Sequence, residues 1–326
     1  MGKVTKKRIS RPRVAPAGII SVAEVQDQGS AQAQGSNSHS TLASDAPVAL
    51  KKLTVGDTGD RIWAAASIGH LLLQPDPDSD AKDGQSTRKL LLSNNAIGHL
   101  VHAMNDMSME VVLQATGTLC NLAASDLDYS QEMTVNADIF EKGIRPLLPK
   151  LSNSLECLVI NNEQGQKMDI DERNTLYGIT SNVVSIIWNL CENSDRALKA
   201  ANKLGFVPFL MAFFDPSAHG KIPKALVETA AQCLFTLSDN NREAQLIFVH
   251  HPTHLKTLLN VVSSGGDAAT AFTRILAGGV LNNIKELVVS SQSTAHDIEE
   301  TLSEVNKLLL PLLNEYIHYD VQGEAQ

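Results

Sequence analysis

Gly178-Ile-Thr-Ser-Asn-Val-Val-Ser-Ile-Ile-Trp-Asn-Leu-Cys-Glu-Asn-Ser-Asp195 decides the fold. Val183, Ile186, Ile187 and Leu190 fall at i, i+3, i+4 and i+7, one buried face of an α-helix. Asn193, Ser194 and Asp195 then break the pattern and offer capping oxygens to the next helix.

The same helix-and-stop unit recurs. Taking Leu190 as the anchor, equivalent anchors are Leu71, Leu122, Leu237 and Ile284. Their successive intervals are 51, 68, 47 and 47 residues. Two equal intervals, and one close to them, match the period of roughly 40–47 residues expected for armadillo and HEAT repeats. The long interval is one repeat carrying an insertion. A second signature sets the register: Gly143-Ile-Arg-Pro-Leu-Leu148 resembles Gly205-Phe-Val-Pro-Phe-Leu210, with Asn95-Ala-Ile-Gly-His-Leu100 as a looser copy. In the first two, Gly is expected to end a short helix and Pro to sit in the first turn of the next. Each unit then reads as short helix, turn, middle helix, loop, long helix, the three-helix armadillo form. The expected fold is an all-α, right-handed armadillo/HEAT-type solenoid over residues 47–320. The sequence pattern brackets it with a disordered basic tail at 1–46 and a disordered terminus at 321–326. A polar insertion is expected at about 153–175, because Asn161-Asn-Glu-Gln-Gly-Gln-Lys-Met-Asp-Ile-Asp-Glu-Arg-Asn174 shows little apolar stripe. A last helix is expected over 297–319.

Composition agrees. The 326 residues are 43% hydrophobic but only 4% aromatic, fitting helices packed through Leu, Ile, Val and Ala. No run approaches the roughly 18 apolar residues of a membrane span, and the amino terminus lacks the apolar core of a secretory signal. Cys120, Cys157, Cys191 and Cys233 form no CxxC pair, so a reducing compartment is expected. The net charge of −9 hides an asymmetry. Lys3, Lys6, Lys7, Arg8, Arg11 and Arg13 put +6 on the first thirteen residues. That leaves 21 basic against 36 acidic residues, or −15, on the remainder. An acidic body argues against direct nucleic-acid binding and suits a basic protein partner. Lys6, Lys7, Arg8, Arg11 and Arg13 read as a nuclear-import signal, a segment for an import receptor.

The residue before each anchor is His70, Asn121, Asn189, Thr236 and Asn283. A carboxamide can bond both the C=O and the N–H of an extended peptide, so Asn121, Asn189, Thr236 and Asn283 form a candidate cargo-binding ladder on the concave face. One turn earlier stand Gly117, Ser185 and Gly279, where importin-type grooves carry Trp. Trp188 is expected in packing between repeats. His219, His250, His251 and His254 lack Cys or acidic neighbours in a ligand pattern, so no metal site is expected. No GxSxG, P-loop or HExxH is present, and neither catalytic residues nor cofactors are expected.

The Met-Gly-Lys start with a basic run to Arg11-Pro12, the 115–122 helix, Val184-Ser-Ile-Ile-Trp-Asn-Leu-Cys-Glu-Asn193 and Leu276-Ala-Gly-Gly-Val-Leu-Asn-Asn-Ile-Lys285 together resemble the symportin family. That resemblance implies an armadillo/HEAT-repeat adaptor and chaperone. Such a protein binds newly made large-subunit, 5S-RNA-associated ribosomal proteins and escorts them into the nucleus with a karyopherin, shuttling between cytoplasm and nucleus. Family members continue into a HEAT-rich carboxy-terminal half that this sequence is expected to lack. The competing expectation is a generic armadillo interaction scaffold with no ribosomal cargo and no shuttling.

Overall fold

The structure, a computed structural model, describes residues 40–74, 87–160, 168–263 and 270–290. It opens with two antiparallel helices, α1 (Ser40–Val55) and α2 (Thr58–Leu73). Three-helix units follow. The first comprises α3 (Thr87–Ser93), α4 (Ala96–Ala103) and α5 (Met109–Ser125). The next has α6 (Leu127–Gln131), which runs on through a π-turn, then α7 (Arg145–Ile160) and α8 (Ile170–Glu192). It is followed by α9 (Asp195–Lys203), α10 (Phe206–Met211) and α11 (Lys224–Ser238). The last described unit comprises α12 (Arg242–His250), α13 (Pro252–Ser263) and α14 (Ala271–Ser290). Among the described residues there is no strand, and no single helix is long and apolar enough to cross a membrane.

The long helices form the spine. α2 packs on α5, α5 on α8, α8 on α11 and α11 on α14. The five anchors Leu71, Leu122, Leu190, Leu237 and Ile284 are all buried along it. Burial of such side chains contributes roughly 1.5–3 kcal/mol each, which is why their spacing specifies the stack. Caps set the helix starts. Asp57 accepts the Asp60 N–H at 2.8 Å, Ser194 accepts that of Ala197 at 3.2 Å, and Asn241 that of Ala244 at 3.4 Å. Ser194 thus does the capping expected at the end of the deciding stretch.

Three details differ from the sequence reading. α1 begins at Ser40, several residues ahead of Pro47. Pro47 is the eighth residue of the helix, beyond its first turn, where the ring removes one i→i−4 hydrogen bond. The expected insertion at 153–175 is invaded from both ends, by α7 up to Ile160 and by α8 from Ile170. The missed part of α8 is held by Leu176 and Ile179, which are buried. Its Tyr177 hydroxyl donates to the Lys221 carbonyl. The Gly143 motif is also not a copy of the Gly205 motif. Gly205 is left-handed (φ 71°) between α9 and α10, as expected, but the equivalent turn before α7 is made by Asp138 (φ 53°). Gly143 lies inside a π-turn, Phe140–Ile144, that continues into α7. A Cβ there would stand 2.7 Å from the Met104 sulfur, so Gly143 serves close approach to the end of α4. Asn95 (φ 56°) makes the turn between α3 and α4, at the position where the looser copy of the motif places it. Asn and Asp tolerate this conformation through local hydrogen bonding, so only one of these three turns carries a glycine.

The tail at 1–39, residues 75–86, residues 161–167 of the insertion, residues 264–269 and the expected last helix lie outside the described residues.

Candidate peptide-binding face

The spine helices present the ladder positions in register, one per unit. His70 is exposed, while Asn121, Thr236 and Asn283 are half-buried and Asn189 is buried. Their surroundings differ. Asn283 Nδ2 donates to Ser238 Oγ at 3.0 Å, a bond between α14 and α11 inside the stack. Asn189 Nδ2 is buried with no hydrogen-bond partner. Seven residues earlier on α8, Asn182 donates to Thr116 Oγ1 at 3.3 Å and ties α8 to α5. The structure therefore places some carboxamides of this face in helix-to-helix bonding and leaves an unpaired donor at the centre of the row.

The small row one turn earlier has a packing cause at its end. A Cβ on Gly279 would stand 2.7 Å from the Phe235 ring, which lies over α14 at that point. Two residues beyond the anchors stand Glu192 and Asp239, which place negative charge beside the ladder in the middle of the array. Around Asn283 the face deepens into a polar cleft of about 480 Å³. It is lined by Asp239, Asn240, Arg242, Gln245, Asn282 and Leu287 as well. Four carboxamides, a guanidinium and a carboxylate there can pair with both polar groups of a peptide backbone and with a charged side chain. Sequence reading found Asn283 but not its neighbours, because Asp239–Gln245 belong to the turn after α11 and to α12, outside the helical periodicity that located the row.

Trp188 is half-buried and packs against the core, as expected. Trp63 is more exposed, with Lys52 Nζ 4.8 Å from its ring centroid and the same ammonium 2.8 Å from Asp60 Oδ1. Cys120, Cys191 and Cys233 are buried and Cys157 is exposed. Burial pushes the Cys120 thiol up to about 12, so it stays protonated and apolar in behaviour. The import-tail residues Lys6, Lys7, Arg8, Arg11 and Arg13 lie outside the described residues.

Of the four histidines, His251 and His254 come together, with ring centroids 5.0 Å apart at the α12–α13 junction. Among the described residues no three His, Cys, Asp or Glu side chains are grouped for a metal ion. Burial, helped by His251, lowers the His254 pKa from 6.5, so the fold favours the neutral ring. The unfolded chain binds that proton more readily. Stability is then full above about pH 6.5 and declines on acidification below it. His254→Phe is expected to shrink the drop in Tm between pH 7.5 and 5.5. An unchanged drop would assign the acid sensitivity to other groups.

Comparison with known proteins agrees with this geometry. The profile of the Armadillo/beta-catenin-like repeat family matches residues 85–124, the unit of α3, α4 and α5. The chain is 26% identical over 242 residues to Syo2 of Schizosaccharomyces pombe, an armadillo repeat protein involved in nucleocytoplasmic transport, covering 72% of this chain and 34% of that protein. It is 26% identical over 327 residues to human HEAT repeat-containing protein 3, covering 98% of this chain and 42% of that one. The chain thus spans well under half the length of these relatives. A computationally designed armadillo repeat protein for modular peptide recognition superposes with a TM-score of 0.53 at 15% identity, covering 82% of this chain and 90% of the other. The fold is an armadillo/HEAT-type solenoid, and the resemblance to the symportin family is matched by the similarity to Syo2.

Proposed function

We propose that this chain is an adaptor and chaperone for newly made, 5S-RNA-associated ribosomal proteins of the large subunit, escorting them between cytoplasm and nucleus. The observation that carries the reading is the row Asn121, Asn189, Thr236 and Asn283, kept in register along one stacked face and holding an unpaired donor at Asn189. An extended, basic segment laid along that row finds carboxamides for its backbone and Glu192 and Asp239 for its cations. Ribosomal proteins carry such segments because they neutralise RNA phosphates. Shielding them until assembly fits an acidic, non-catalytic solenoid. The similarity to a nucleocytoplasmic transport protein supports the itinerary, and Lys6, Lys7, Arg8, Arg11 and Arg13 are then the segment that a karyopherin reads.

The test is capture from cell extract with the full chain as bait, at near-physiological salt, with and without nuclease, followed by mass spectrometry. Nuclease-resistant enrichment of one or two 5S-RNA-associated ribosomal proteins together with an import receptor is the expected result. A set spanning the whole ribosome that vanishes with nuclease, or a set without ribosomal proteins, removes the proposal. Residues 1–20 fused to a reporter should also concentrate it in the nucleus.

A further inference from the structure

A second surface shares no residue with the ladder. α7 is 16 residues long, whereas α10 ends after six, and the outer turns of α7 stand away from α10. The gap is a cleft of about 550 Å³, within the range of ligand pockets, with Leu148, Leu155, Phe209 and Phe213 in its walls. The ionisable side chains lining it are Glu156 and Asp215, both exposed and both acidic. Asp215 accepts the Ser217 N–H at 2.8 Å and its hydroxyl at 2.6 Å, which holds its carboxyl below the usual range and keeps it charged.

An apolar cleft with only carboxylates asks for an apolar side chain flanked by cations. Of the chain outside the described residues, residues 75–86 hold four aspartates against one lysine, and residues 264–269 hold Asp267 and no cation. Residues 161–167 contain no apolar side chain, and 291–326 mix apolar residues with Asp297, Glu299, Glu300 and Glu304. Residues 6–14, Lys-Lys-Arg-Ile-Ser-Arg-Pro-Arg-Val, combine two apolar side chains with five cations and no acid. We infer that the cleft between α7 and α10 receives this segment of the same chain, with Ile9 between the helices and Arg8 and Arg11 against Glu156 and Asp215. Reach permits it. Twenty-five residues, 15–39, separate Val14 from Ser40, and a random coil of that length has a root-mean-square span of about 28 Å. α1 packs on α4, and α4 on the π-turns that lead into α7, so at helix spacings of about 8–10 Å the cleft lies roughly 20–30 Å along the array from α1. The effective concentration of such a tethered segment is on the order of mM, so a weak contact suffices for substantial occupancy. A receptor that reads the tail must then lift it from the cleft, whatever cargo the ladder holds.

The chain carries its own reporter. Cys157 follows Glu156 and is the exposed thiol, whereas Cys120, Cys191 and Cys233 are buried. Ser10→Cys in the full chain, which keeps Ile9, under mild oxidation at low protein concentration, is expected to form an intramolecular 10–157 disulfide about tenfold faster than Ser21→Cys. Ser21 lies closer to the fold along the chain, so a random tail would favour it at least equally. The advantage should disappear in 0.5 M salt and in the Glu156→Lys, Asp215→Lys background. Equal rates for the two cysteines, an advantage that survives both treatments, or a disulfide formed between two chains would overturn the inference.

Discussion

Leu190→Ala is expected to destabilise the array by about 2–5 kcal/mol, the usual cost of a buried Leu truncation that leaves a cavity. Leu190 is 1% exposed, on the helix that packs against both α5 and α11. In a solenoid each unit contacts only its neighbours, so stability is close to a sum of unit and interface contributions. Loss at Leu190 weakens two interfaces at once and should separate the unfolding of the first half from that of the second. Trp63 on α2 and Trp188 on α8, each observed after the other is replaced by Phe, report the two regions. Their urea midpoints should coincide in the parent and part in the variant, with that of Trp188 falling first. Ile170→Ala, at an exposed position on the same helix, should stay within about 0.5 kcal/mol and serves as the control. A loss under 1 kcal/mol at Leu190, or a single shared transition, would contradict a spine built on the anchors.

Those anchors also show why the fold was legible in the sequence. Leu71, Leu122, Leu190, Leu237 and Ile284 are each locked by helical periodicity on one side and by the same helix of the next unit on the other. A spacing near 47 residues therefore reports a real interface. What periodicity could not supply lies where backbone chemistry replaces it. The left-handed turns at Asn95 and Asp138 are made by residues common in any loop, and the π-turns before α7 shift the turn away from Gly143 and Pro146. The first two turns of α8 were obscured because Asp171, Glu172 and Asn174 are exposed there, while Leu176 and Ile179 alone continue the buried face. The candidate site was legible only along the spine. Asn121, Asn189, Thr236 and Asn283 share one helical phase, but Asn240, Arg242 and Gln245 reach the same cleft from a different element. Which carboxamides are already bonded inside the stack depends on neighbours 45 or more residues away, as for Asn283 with Ser238.

Asn189→Leu is expected to separate stability from binding. The two side chains have the same branching and number of heavy atoms, and leucine removes a buried donor that has no partner. An unsatisfied buried polar group costs roughly 1–3 kcal/mol, and an apolar group of the same shape relieves that cost. The variant should therefore be more stable than the parent by about 1 kcal/mol, a Tm rise of roughly 2–4 °C for an array of this size. Its capture of cargo should fall at least about tenfold, because a hydrogen bond to the peptide backbone worth about 1.4 kcal/mol is lost at the centre of the row. Asn283→Ala gives the contrast. It breaks the bond to Ser238 and should lower stability by about 0.5–1.5 kcal/mol as well as weaken capture. Opposite signs in Tm with the same sign in binding would be hard to obtain from packing alone, and they fit a site whose unpaired donor is retained for a ligand at the expense of stability. A lower Tm for Asn189→Leu would mean that its carboxamide is used within the stack, and the ladder would then lose its central rung.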